Sequence, residues 1–173
     1  MMSSSTIHSV GQARSAMQPG AGGLLRTVVG TDADYGALVS RLALAATIFP
    51  HGAQKALGWF GGYGFTGTMG FFTQQLGIPA PLAALAIAAE FLGPIALVMG
   101  LLGRVAAFGI MVTMAVAAVT VHLANGFFMN WFGAQKGEGI EFFILAIGLA
   151  LAVIIKGSGA LSFDRLLSRP SVE

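Results

Sequence analysis

The chain holds no cysteine. That excludes disulfides, cysteine-ligated zinc, iron–sulfur ligation by this chain and any thiol–disulfide cycle of its own. Charge is nearly as scarce. Asp, Glu, Lys and Arg make up 9% of the 173 residues, against about 25% in a soluble domain. So few charges do not cover a water-facing surface, so lipid must face much of the chain. The net charge is only +2 and the basic residues are scattered. With no basic stripe interleaved with aromatics, nucleic acid is not an expected partner. Nothing in the sequence resembles a nucleophile elbow or a phosphate-binding loop.

What is present is apolar: 55% hydrophobic residues and a mean hydropathy of +0.80. The length suits four spans of about 20 residues with short turns and a tail. The reading is therefore all-α: a four-transmembrane-helix antiparallel bundle over residues 35–166, preceded by a disordered polar tail (1–34) and followed by a short C-terminal tail (167–173). The first 34 residues are rich in Ser, Gly, Ala and Gln. They lack the apolar core of a secretory signal, and a composition with two Arg and no acid before Asp32 also suits a mitochondrial transit peptide.

The spans are expected over 35–59, 78–102, 104–123 and 139–155. Pro79 and Pro81 suit the first turn of the second span, where missing N–H donors cost nothing. Gly103 and Arg104 alone separate spans two and three, which requires a tight hairpin. The glycine-rich run GWFGGYGFTGTMGFF after span one reads as a turn or interfacial loop, and NGFFMNWFGAQKGEG before span four as an aromatic interfacial segment. Arg14, Arg26, Arg41, Arg104, Lys156, Arg165 and Arg169 fall on one side and Lys55 and Lys136 on the other. That bias predicts an inner (plasma) membrane protein with both termini in the cytoplasm.

Ionisable groups inside spans cost about 2.5–3.5 kcal/mol each on insertion scales, so those that persist are paired or useful. Six stand out: Arg41, His51, Lys55, Glu90, His122 and Glu141. Glu90 lies near the middle of span two, so it needs a cationic partner or keeps its proton. Pro94, four residues on, leaves the Glu90 carbonyl without its helical donor, as Pro50 does for Ala46 beside His51. Arg41, His51 and Lys55 fall within about 80° on a helical wheel, one polar stripe for the bundle interior. Lys55 taken alone reads as a residue that snorkels to the interface. Glu138 and Glu141 open span four on one face, where the helix dipole also favours acids. His51 and His122 are chemically able to hold a haem, and with Glu141 a metal. No other cofactor signal accompanies them, so neither is expected.

The stretches RLALAATIFPHGAQKALGWFGG (41–62), GFFTQQLGIPAPLAALAIAAEFLGPIALVMGLLGRVAA (70–107), His122, GIEFF (139–143) and GSGALSFD (157–164) together resemble the DoxX family of small four-helix membrane proteins. The resemblance implies that Arg41, His51, Gly52, Lys55, Glu90, Arg104, His122, Glu141 and Asp164 occupy the family's polar positions. It also implies a role beside quinol or thiosulfate:quinone oxidoreduction or in redox and oxidative-stress complexes. Without cysteine, redox chemistry would come from a partner subunit or a bound quinone. Three readings stay open: an accessory subunit of a quinone-linked redox complex, a proton-coupled small-molecule transporter, and a structural membrane protein without catalysis. Self-association into a homo-oligomer is compatible with each.

Overall fold

A computed structural model describes residues 21–168. Among them are seven α-helices and no strand: α1 (Ala21–Val29), α2 (Tyr35–Leu57), α3 (Gly64–Gly70), α4 (Ala80–Met99), α5 (Gly103–Ala117), α6 (Glu141–Lys156) and α7 (Phe163–Ser168). Two helices are long and apolar enough to cross a bilayer: α4, and the continuous helix Gly103–Asn125 that extends α5. In α2 the polar stripe lowers the hydropathy. α6, at 16 residues, is about 24 Å long, short of the roughly 30 Å hydrocarbon core.

α2 packs against α4 and α6, and α5 packs against α4 and α6. The common core is Leu44, Ile48, Leu97, Ile110, Met114, Phe143, Ala146, Ala150 and Val153. Large apolar side chains such as Leu85, Leu92, Val105 and Phe108 face outward instead, as lipid-facing helices require.

Local chemistry sets the boundaries. The Asp34 side chain accepts from the Ala37 amide to cap α2, and Gly58 ends it at φ 75°. Pro79 and Pro81 sit at the start of α4 as expected. Gly100 at φ 64° and Leu102 at φ 50° turn the chain from α4 into α5 within three residues.

Two regions depart from the sequence reading. Part of the polar N-terminal segment is helical: α1 buries Val29 and packs against α5 and α7. Residues 1–20 of that segment lie outside the described residues. The glycine-rich run after α2 forms α3, which widens into a further turn over Phe71–Gln75 with i→i+5 bonding. The segment after α6 folds back onto the bundle within the 35–166 unit. Gly157–Ala160, Ser162 and Asp164 are buried, and α7 closes the segment.

Candidate functional site

One end of the molecule is knitted by charge on backbone. The Arg41 guanidinium, 1% exposed, donates to five carbonyls: Leu97 (a short contact), Val98 at 2.7 Å, Ser158 at 2.8 Å, Ala160 at 3.2 Å and Leu161 at 2.7 Å. The fork of the guanidinium suits this task, because its N–H donors answer carbonyls at the end of α4 and in the 158–161 segment after α6 together. Asp164 does the reverse. Its carboxylate accepts from the amides of Leu102 (2.8 Å) and Gly103 (2.9 Å) at the start of α5, and from Ser158 Oγ (2.5 Å). Arg104 joins Ile154 and Ile155 at the end of α6 to Gly30 after α1. This end is structural: each charge answers backbone groups that helix termini leave open.

The middle of the fold differs. Glu90, 2% exposed, is paired with the Lys55 ammonium, 27% exposed. The partner that a buried carboxylate demands is therefore Lys55 and not Arg41. Lys55 does not snorkel outward; it turns in. The cause is Gly52, one turn earlier on α2. A Cβ there would stand 2.0 Å from the Glu90 carbonyl oxygen and 2.7 Å from Phe91 Cα, so only glycine lets α4 come so close. Helical side chains tilt toward the helix N-terminus, and Lys55 thus reaches back to the level of Gly52, where Glu90 waits. The carbonyl pressed against Gly52 is the one that Pro94 deprives of its helical donor.

Lys55 and Glu90 line a half-open cavity of about 1050 Å³, together with His51, His122 and Glu138. Most of the remaining lining is apolar and comes from α4 and α5, including outward-facing Leu85, Leu92, Val105 and Phe108. The His51 ring lies 5.5 Å from Phe142 and the His122 ring 4.4 Å from Phe143, centroid to centroid. His122 Nδ1 is 2.9 Å from the Glu138 carbonyl. A carbonyl only accepts, so in the neutral ring Nδ1 carries the proton and Nε2 keeps its lone pair. His122 sits in a widened helical turn, Ala118–His122, of the kind often found at functional positions.

Of the six candidates, four share this cavity: His51, Lys55, Glu90 and His122. Arg41 lies apart in the structural end. Glu141 also lies outside the cavity lining; it opens α6 and accepts from the Met129 amide at 3.2 Å, pinning the aromatic segment. The Arg41–His51–Lys55 stripe is thus divided between two tasks. Among the described residues no three His, Asp or Glu side chains gather as a metal site would require. Gly52 enters the sequence reading only through the family resemblance; its contact with α4 is a spatial fact that the residues one by one do not carry.

A model of the DoxX family matches residues 36–123, about half of the chain and all of α2 through α5 save its first residue. The chain belongs to the DoxX family. Comparison with curated proteins and with solved structures finds no match. The matched stretch carries Arg41, His51, Gly52, Lys55, Glu90, Arg104 and His122, so the cavity residues fall within the DoxX region except Met129, Glu138, Phe142 and Phe143. DoxX membership and two apolar helices long enough to span identify a helical membrane protein.

Proposed function

We propose that this DoxX protein is a four-span inner-membrane subunit of a redox complex, with its cavity in contact with a quinone. Four spans in antiparallel order are supported by the pairing of α2, α4, α5 and α6 as neighbours and by the tight turn between α4 and α5. The 127–140 segment packs on the start of α6 through Gly139 and Glu141, which supplies the depth that helix alone lacks. Arg41, Arg104 and Lys156 gather at one end of the helices, which supports termini in the cytoplasm.

The single observation that carries the redox reading is the joining of a buried ion pair to a long apolar groove. An isoprenoid quinone needs a place where a polar ring meets hydrogen-bonding groups while its tail stays among apolar side chains. Lys55, His51 and His122 fit the ring; α4 and α5 fit the tail. Electron carriers would belong to partner subunits, since this chain has no cysteine. The test is a deletion strain complemented with wild type or Glu90→Gln. Quinol-dependent reduction and co-purification with a redox partner are expected with wild type, and the reduction is lost with Glu90→Gln. Normal quinol oxidation and normal partner assembly in the deletion strain overturn the reading.

The same ion pair favours a second reading, a proton-coupled transporter in which Glu90 carries the proton and Lys55 is its electrostatic counterpart. Uptake into proteoliposomes that ignores both a pH gradient and Glu90→Gln removes it.

A further inference from the structure

The cavity has a direction. Its ionisable lining, His51, Lys55, Glu90, His122 and Glu138, comes from the part of the molecule away from the Arg41 end. Toward the Arg41 end the lining is apolar or small, through Gly93, Ala96 and Ala106 to Leu102 and Val105. From Glu90 to Leu102 this stretch runs roughly 18 Å. Its floor is low because α4 and α5 meet through small residues: a Cβ on Gly93 would stand 3.1 Å from Ile110 Cδ1, and one on Gly109 3.3 Å from Ala89 Cβ. Because buried Glu90, Met114 and Phe143 line the same cavity as outward-facing residues of α4 and α5, it opens sideways between α4 and α5, toward lipid.

The polar end is unevenly satisfied. One Glu90 oxygen takes Lys55, and the other has no hydrogen-bond partner among the described residues although Glu90 is 2% exposed. His122 Nε2, as argued, is a bare acceptor. Two acceptors thus wait for a donor. Lys55 is already neutralised by Glu90, and Glu138 adds negative charge, so a phosphate head is disfavoured, while a cationic head carries the desolvation cost of a charge at membrane depth.

We propose that the α4–α5 groove admits, sideways from the bilayer, a single-tailed amphiphile with an uncharged hydroxyl-bearing head. The hydroxyl donates to the free Glu90 oxygen or to His122 Nε2 and accepts from Lys55. The tail lies over Gly93, Ala96 and Ala106. A head with carbonyl oxygens alone leaves both acceptors unanswered. This rests on the quinone-contact reading only in sharing its site, and it sharpens that reading to the reduced, hydroxyl form.

The test is native mass spectrometry of the detergent-solubilised full chain, titrated with monoolein, decylubiquinol, decylubiquinone and methyl oleate. Monoolein and decylubiquinol are expected to bind at least tenfold more tightly than methyl oleate and decylubiquinone, a difference of about 1.4 kcal/mol. Filling the groove with Ala96→Phe, or from its exposed edge with Val105→Trp, should reduce binding of every probe. The double variant Lys55→Met/Glu90→Leu should keep tail binding and reduce the hydroxyl preference to what His122 alone supplies. Equal affinity for hydroxyl and carbonyl heads overturns the proposal, as does unchanged binding in both groove-filled variants. If the hydroxyl preference holds while quinol oxidation survives Glu90→Gln, the site stands and the quinone-linked reading falls.

Discussion

Lys55 and Glu90 depend on each other unequally. Glu90 is enclosed and Lys55 is partly exposed, so losing the lysine strands a buried carboxylate, while losing the glutamate leaves an ammonium that can turn outward. Removing one partner of a buried pair costs about 3–5 kcal/mol, whereas replacing both with apolar residues of similar size is often neutral or better. Lys55→Met should therefore destabilise the fold by about 3 kcal/mol, and Glu90→Leu by less. Lys55→Met/Glu90→Leu should recover most of the loss. Thermal unfolding in detergent of the four proteins checks this; a double variant as unstable as Lys55→Met shows that the pair is not what holds Glu90 in place. Any activity is expected to stay absent in the recovered double variant, which separates the folding role of the pair from its chemistry.

Helix contacts were less legible than the helices themselves. Apolar runs, Pro79, Pro81 and Gly103 all act locally, so the sequence places the second and third spans at 78–102 and 104–123, close to Ala80–Met99 and the continuous Gly103–Asn125. Glu90 was legible for the same reason: its cost is set by depth alone. Its partner was not, because helical spacing puts Arg41 and Lys55 on one stripe and only the approach of α4 at Gly52 decides between them. Gly52→Ala tests that approach. With backbone atoms 2.0–2.7 Å from the new Cβ, α2 and α4 must separate, at a cost of about 1–3 kcal/mol. The Tm is expected to fall and hydroxyl-probe binding to weaken even though no cavity side chain has changed; an unaltered Tm means the helices adjust freely. The N-terminus of α2 offers a pH test. The Asp34 carboxyl lies below its ordinary 3.8, chiefly through the Ala37 amide, with the Gly36 amide and Lys156 helping and desolvation opposing. A lowered folded pKa means the unfolded chain binds the proton more readily, so this stabilisation is present above 3.8 and fades as pH falls through the folded value. Asp34→Ala should lower the Tm at neutral pH and make it less sensitive to acid below pH 4; an undiminished acid dependence removes Asp34 as its source.

At the scale of the whole molecule, the two ends are built for different surroundings. At one, Arg41, Arg104 and Asp164 clamp helix termini and the returning 157–164 segment. At the other, Trp131 and Phe132 are 79% and 95% exposed on a segment tied down by Asn130, Glu138 and Glu141. Rigid backbone beneath exposed indole and phenyl rings suits the headgroup layer, where aromatic residues gather. With the clamped end in the cytoplasm, residue 134 faces outward and residue 168 inward. The absence of native cysteine makes this directly measurable, since any introduced thiol is the sole label site. In intact spheroplasts, Ala134→Cys is expected to react with a membrane-impermeant maleimide and Ser168→Cys only after permeabilisation. The reverse pattern inverts the orientation, and labelling of both before permeabilisation leaves an even number of crossings between them. The last result would leave α6 outside the membrane. Its 16 residues and the depth supplied by the 127–140 segment make α6 the span on which the four-helix arrangement depends.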